Sequence, residues 1–285
     1  MPYCKTFLRC LFVLLPLLLA GCTSLVTSSI IAPTVDNLQK QTDLYLVCEG
    51  APSYLLMIDS MIAQQPANAE LLKIGAQSYA GYAAALTECG GAAKRLAAIT
   101  AKGRLYGRDL LAKSLPMAAE TTDEQLAAAL AGLRKNQVPE VFWGSLAWLT
   151  WVQQQGGSPA AMADLILLEK TMARLLVLDE GYQAGSIHLF FGSYLTTRPA
   201  MLGGDPLAGK DHFERALALA DRRFLLTLVA YAETYARQVF DRTLHDGLLQ
   251  EVQRFDLASA PEFALSNQIA KHKAARLLAD DFFAE

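Results

Sequence analysis

The 285-residue chain is poor in charge and in the side chains that carry chemistry. Charged residues make up 19% of it against 53% hydrophobic ones, and the net charge is −3. No excess of either sign draws it to nucleic acid or to an anionic lipid surface. Strand-like alternation is absent, which excludes an all-β domain and leaves helical periodicity as the only pattern. The four histidines, His188, His212, His245 and His272, fall at no metal-pair spacing, so no metal is expected. No Gly-x-Ser-x-Gly elbow occurs, so the best-marked serine nucleophile is missing. Gly204–Asp211, GDPLAGKD, resembles a phosphate-binding loop, but Asp211 stands where a hydroxyl should ligate magnesium. It also follows a helix and a turn rather than a strand, and it reads as a helix start. No catalytic residue, no cofactor and no enzyme are expected.

The first residues read as an address. Lys5 and Arg9 precede an apolar stretch from Leu11 to Ala20, closing on Leu19-Ala20-Gly21-Cys22. That is the pattern of a lipoprotein signal (residues 1–21) cut before Cys22, whose thiol then carries lipid; an ordinary secretory signal ending near a cysteine is the other reading. Thr23 is not the aspartate that commonly retains lipoproteins in the inner membrane, so the periplasmic face of the outer membrane is favoured. Residues 22–33 form a lipidated tether. No later apolar run is long enough to cross a bilayer.

Residues 34–285 read as one helical domain. Two helices back to back organise it, in QAGSIHLFFGSYLTTRPAMLGGDPLAGKDHFERALALA from Gln183 to Ala220. Ile187, Phe190, Phe191, Tyr194 and Leu195 lie at helical spacing, and Pro199 ends the first helix. Gly203-Gly204 allows left-handed backbone, and Asp205 with Pro206 caps and starts the second helix. Elsewhere a first helix is expected over Thr34–Tyr45 and a second from Gly50-Ala51-Pro52 to Pro66. Asn68 caps a third, ending at Gly90-Gly91, and Ala92 to Ser114 form a fourth. Capping boxes are expected at Thr122/Gln125 and Ser259/Glu262. Small residues at Gly75, Ala147, Gly192 and Ala232 recur in one role, the rhythm of divergent tetratricopeptide-like hairpins stacked as an α/α superhelix. A non-repetitive, alanine-rich helical bundle is the alternative.

Together Leu46-Val47, Gly50-Ala51-Pro52-x-Tyr54-Leu55, Asp179-Glu180, Ile187-His188-Leu189-Phe190, Arg198-Pro199 with Gly203-Gly204-Asp205, His212-Phe213-x-x-Ala216 and Asn267-Gln268-Ile269-Ala270 resemble the TatT lipoproteins of tripartite ATP-independent periplasmic (TRAP) transporters. The resemblance runs through nearly the whole mature chain. It implies cryptic tetratricopeptide repeats, a homotrimer, a largely apolar channel in each subunit and docking to a periplasmic solute-binding protein. The function expected is therefore an accessory lipoprotein that holds this protein and passes it a hydrophobic organic acid. The alternative is an envelope scaffold that grips a protein or peptide without transporting a solute.

Five polar residues interrupting apolar faces, Tyr182, His188, Tyr194, Arg198 and Asn267, are the candidate ligand-binding set. Arg198 suits a carboxylate, though capping its own helix is the plainer role, and His188 reads more readily as a core histidine. Trp143, Trp148 and Trp151 either pack or line a channel. Cys48 and Cys89 are the thiols left once Cys4 and Cys10 go with the leader and Cys22 is acylated. An antiparallel hairpin turning at Pro66 permits a disulfide between them without requiring it; buried free thiols are the other outcome.

Overall fold

The computed structural model describes residues 32–118 and 120–283. The signal, Cys22 and most of the tether lie outside the described residues. Those residues are all-helical, without a strand, and form twelve α-helices. In order these are α1 Ala32–Gln39, α2 Leu44–Gln64, α3 Ala69–Glu88, α4 Ala93–Leu111, α5 Asp123–Gly132 and α6 Val138–Gln153. They continue as α7 Pro159–Leu178, α8 Tyr182–Thr197, α9 Pro206–Leu219, α10 Leu226–Tyr231, α11 Arg242–Arg254 and α12 Ala264–Leu278. A π-turn, Ala232–Ala236, extends α10.

Local chemistry explains most helix ends. Asn68 accepts from Leu71 N–H at 3.2 Å, the Thr122/Gln125 capping box is formed, and Ser158 caps the Pro159 start of α7. Asp205 accepts from the N–H groups of Leu207 and Ala208, so GDPLAGKD is indeed the start of a helix. In the turn before it, Gly203 sits at φ 89°, and a side chain on Gly204 would overlap the Arg198 carbonyl.

Two expected boundaries are wrong. The break at Gly50-Ala51-Pro52 does not exist: α2 starts at Leu44, capped by Asp43, and runs through Pro52. Proline tolerates this position because the carbonyl its missing N–H would have bonded, that of Cys48, accepts from the Tyr82 hydroxyl at 3.4 Å. Nor do Ser259 and Glu262 form a capping box. Short turns at Leu257–Ser259 and Pro261–Phe263 replace it, and Arg223 instead bonds the Ser259 carbonyl and the Glu262 carboxylate.

Neighbouring helices approach closely where small residues meet. A side-chain carbon on Gly107 of α4 would stand 2.5 Å from the Gly144 carbonyl of α6, and Gly192 of α8 lies under the Phe213 ring of α9. Three apolar cores follow one another along the chain, built on α2–α4, on α5–α8 and on α9–α12. The array then closes on itself. Helix α12 returns to pack against α1, α2 and α3, burying Ile269 with Leu44 and Ala85, and Arg276 pairs with Glu88 at 3.1 Å. Contrary to the expectation that no run after the leader is long enough, helix α2 is long and apolar enough to cross a membrane by length and composition. Its inward stripe, including Val47, Leu55, Ile58 and Ile62, is buried against the other helices as in a protein core.

Candidate functional site

Closure of the array leaves a cavity of about 320 Å³ between its first and last elements. Each helix contributes one stripe at helical spacing. From α2 come Val47, Ala51, Tyr54 and Leu55; from α3, Gln77, Ser78, Gly81 and Tyr82; from α6, Phe142, Trp143, Leu146 and Thr150. Leu38 and Gln39 of α1, the segment around Phe224 and Leu226, and Leu265, Ser266 and Ile269 of α12 complete the wall. Gly81 and Ala84 on this wall are exposed, so the cavity opens to solvent. An aromatic and aliphatic concavity with few polar groups is the usual make-up of a site for an apolar ligand.

Two features of the wall were not legible as helix pattern. Gln183, Ala184 and Gly185 at the start of α8 adopt left-handed angles, φ 48°, 57° and 75°. Left-handed backbone is uncommon for residues other than glycine and costs roughly 1–2 kcal/mol at each. Helical spacing predicts regular helix here; in the fold the stretch places Gln183 and Ser186 on the cavity wall, while Gly185 lies against Ala216 of α9. The second feature is Tyr54. Its hydroxyl oxygen is shielded from solvent, with the Ser78 side chain beside it but no hydrogen bond of good geometry. Burial raises its pKa, with nearby Ser78 opposing the shift.

None of the five residues singled out from the sequence lines the cavity. Tyr182 packs edge-on to Phe142 behind the wall, its pKa raised by burial against the opposing effects of Gln183 and Trp143. Tyr194 donates to Glu169 at 2.5 Å, and Arg198 reaches both Glu169 and the Tyr194 oxygen. Burial, then the Glu169 carboxylate, pushes Tyr194 up to about 12. Asn267 is fully buried and clamps backbone, accepting from Leu225 N–H and donating to the Arg223 carbonyl, both at 2.9 Å.

His188 stands 3.2 Å from Glu180 through Nε2 and 2.8 Å from His212 through Nδ1. With both rings neutral, His212 Nδ1–H donates to His188 and His188 Nε2–H donates to Glu180. Arg215 clamps Glu180 from outside; its hydrogen bond, then that of His188, holds the carboxyl down at about 2. Burial, then His188, lowers the pKa of His212. No cluster of three or more metal-ligating side chains occurs among the described residues.

Of the tryptophans, only Trp143 lines the cavity. Trp148 donates to Asp164 at 2.8 Å, and the Arg104 guanidinium lies 4.0 Å over the Trp151 ring. Cys48 and Cys89 are joined in a disulfide, with Cα atoms 6.7 Å apart, tying the start of α2 to the end of α3. Both helices are cavity walls.

Fold and site together define a closed all-helical array enclosing an apolar, solvent-connected cavity. Within that class the chain belongs to the T-components of TRAP transporters: the model of that family, TAtT, matches residues 40–283. The protein is thus an accessory component of a TRAP transport system of the cell envelope. No curated protein matches the chain.

Proposed function

We propose that the protein is an outer-membrane lipoprotein, cut before Cys22 and held by its lipid at the periplasmic face. There it docks the periplasmic solute-binding protein of its transporter. Residues 22–33 are the tether and residues 34–285 the working domain, built from divergent tetratricopeptide-like hairpins and assembled as a homotrimer. The cavity is the place where a hydrophobic solute passes to or from the docked partner.

The observation that carries this reading is the family match over residues 40–283. The cavity supports the ligand-bearing part of it, because a docking scaffold needs no apolar hollow behind its surface. Exposed apolar side chains along α2, Tyr45, Leu46, Leu56 and Met57, support association with another surface. An organic acid entering the cavity would find no Lys, Arg or His among the described residues of the wall, so its carboxylate would have to stay at the rim.

Cross-linking in intact cells, followed by purification of the full chain, tests the reading. The expected product contains a TRAP solute-binding protein and disappears in Cys22→Ala, which stays uncut and leaves the outer membrane. Recovery of envelope assembly proteins alone would favour the scaffold reading instead.

A further inference from the structure

Helix α2 turns its two sides to different surroundings. Val47, Ala51, Tyr54 and Leu55 line the cavity, while Tyr45, Leu46, Leu56 and Met57 are exposed on the outside. Tyr45 and Leu56 stand three helical turns apart, as do Leu46 and Met57, so the two pairs share one outward face. Between them the exposed residues are Glu49, Gly50 and Ser53, and beyond them Ser60, Ala63 and Gln64. The helix contains no Lys or Arg, and Glu49 is its one exposed charge. An outward helix face in water normally carries charged side chains. Helix α4 follows that rule, exposing Lys94, Arg95, Arg108 and Asp109; α2 does not.

The chain before α2 indicates what covers this face. Residues 23–31 are all that separates Cys22 from Ala32, the first residue of α1. Fully extended they span roughly 30–35 Å, so a lipid on Cys22 holds the start of the helical domain at the bilayer surface. A face with four large apolar side chains and one carboxylate has nothing to attract it to anionic lipid. It suits a zwitterionic surface, where a helix lies in the interface plane with its apolar side chains among the headgroups. Tyr45 has the ring and hydroxyl that favour headgroup depth, and Glu49 meets the ammonium groups of phosphatidylethanolamine there.

We propose that the outer face of α2 lies on the zwitterionic phospholipid surface of the membrane that holds the anchor, with Tyr45, Leu46, Leu56 and Met57 entering the headgroup region. The proposal rests on the reading of Cys22 as the lipid anchor. Because the opposite stripe of α2 is cavity wall, docking sets the hollow one helix diameter, about 10 Å, from the bilayer.

The test uses the mature, lipidated full chain in phosphatidylethanolamine-rich vesicles, with a fluorescent side chain placed at Leu56 or, for comparison, at the exposed Val177 of α7. Phospholipids carrying a nitroxide near the headgroup should quench the probe at Leu56 at least threefold more than the probe at Val177. Leu56→Glu with Met57→Glu, read from a probe at Leu46, should lose most of its quenching while the chain still floats with the vesicles and melts as the wild type does. Equal quenching at Leu56 and Val177 overturns the proposal. So does undiminished quenching at Leu46 in the double variant, since the tether alone would then hold the helix near lipid. If the Leu56 probe is untouched by lipid and becomes shielded from aqueous iodide only when a TRAP solute-binding protein is added, the face is a protein interface and membrane docking is wrong. A wild-type chain that does not float with vesicles removes the anchor reading itself, and this proposal with it.

Discussion

The α8–α9 hairpin and the cavity wall of α2–α3 both carry polar side chains on apolar faces, and they use them in opposite ways. On the hairpin the polar groups have found one another: Tyr194 with Glu169 and Arg198, His188 with His212 and Glu180. On the wall Tyr54 has only the Ser78 side chain beside its hydroxyl, with no hydrogen bond of good geometry. A polar residue interrupting an apolar stripe is therefore no pointer to a ligand by itself. What separates a site from a staple is whether the fold already satisfies the group, and that depends on residues far away in the chain.

The largest test of this contrast is on the wall. Cys48→Ser with Cys89→Ser opens a loop of 41-residue separation and should cost about 4 kcal/mol in the chain-entropy account, read as a lower denaturant midpoint. An unchanged midpoint would show that the helices hold each other without the staple. Asn267→Ala comes next. It strips the buried Leu225 N–H and the half-buried Arg223 carbonyl of their partner and should cost about 2–3 kcal/mol. Since Asn267 does not line the cavity, affinity of the folded variant for an apolar dye such as N-phenylnaphthylamine should hold; a selective loss of binding would return Asn267 to the ligand site.

Gly203→Val places a branched side chain at φ 89° and should cost about 1–2 kcal/mol through left-handed strain. A wild-type melt would mean the turn readily rebuilds. Smaller still is Tyr194→Phe, at about 1 kcal/mol, one hydrogen bond to a charged partner with much of its strength screened. Dye binding should be indifferent to it, and a clear loss would dissolve the distinction between hairpin and wall.

The smallest effect is one of pH. Burial holds His212 below its ordinary 6.5, so folding favours the neutral ring. That contribution is whole above pH 6.5 and is lost as the pH falls through the depressed folded value. Glu180, lowered from 4.5 to about 2, adds a second acid loss between those values, small because the carboxylate is exposed. His212→Gln should flatten the first step and leave the second; a melt falling identically below pH 6.5 in both proteins would remove His212 as the cause.

Much of the fold was legible in the chain. Helix starts at Asn68, Thr122, Ser158 and Asp205 are local affairs, each a side-chain oxygen within three residues of the N–H it caps. The failures have distant causes. Pro52 should have broken a helix and did not, because Tyr82 comes across from α3 to the stranded Cys48 carbonyl. Gln183-Ala184-Gly185 should have been helical and is left-handed, where α8 meets α9 at Ala216. The five candidate residues, none of which lines the cavity, share polarity on apolar faces, a signal common to satisfied and unsatisfied groups alike.

By itself, then, the sequence determined the helical class, the capped boundaries, the turn at Gly203-Gly204 and, through its motifs, the family. These depend on contacts a few residues apart, which backbone sterics and short-range hydrogen bonds settle without knowledge of the rest. Only the tertiary structure decided that α12 folds back onto α1–α3, that a cavity opens where they meet, and that Tyr54 and Ser78 stand together on its wall. Closure is a sum of packing choices along the whole array, and the pairing of each buried polar group is fixed only when the last helix has docked.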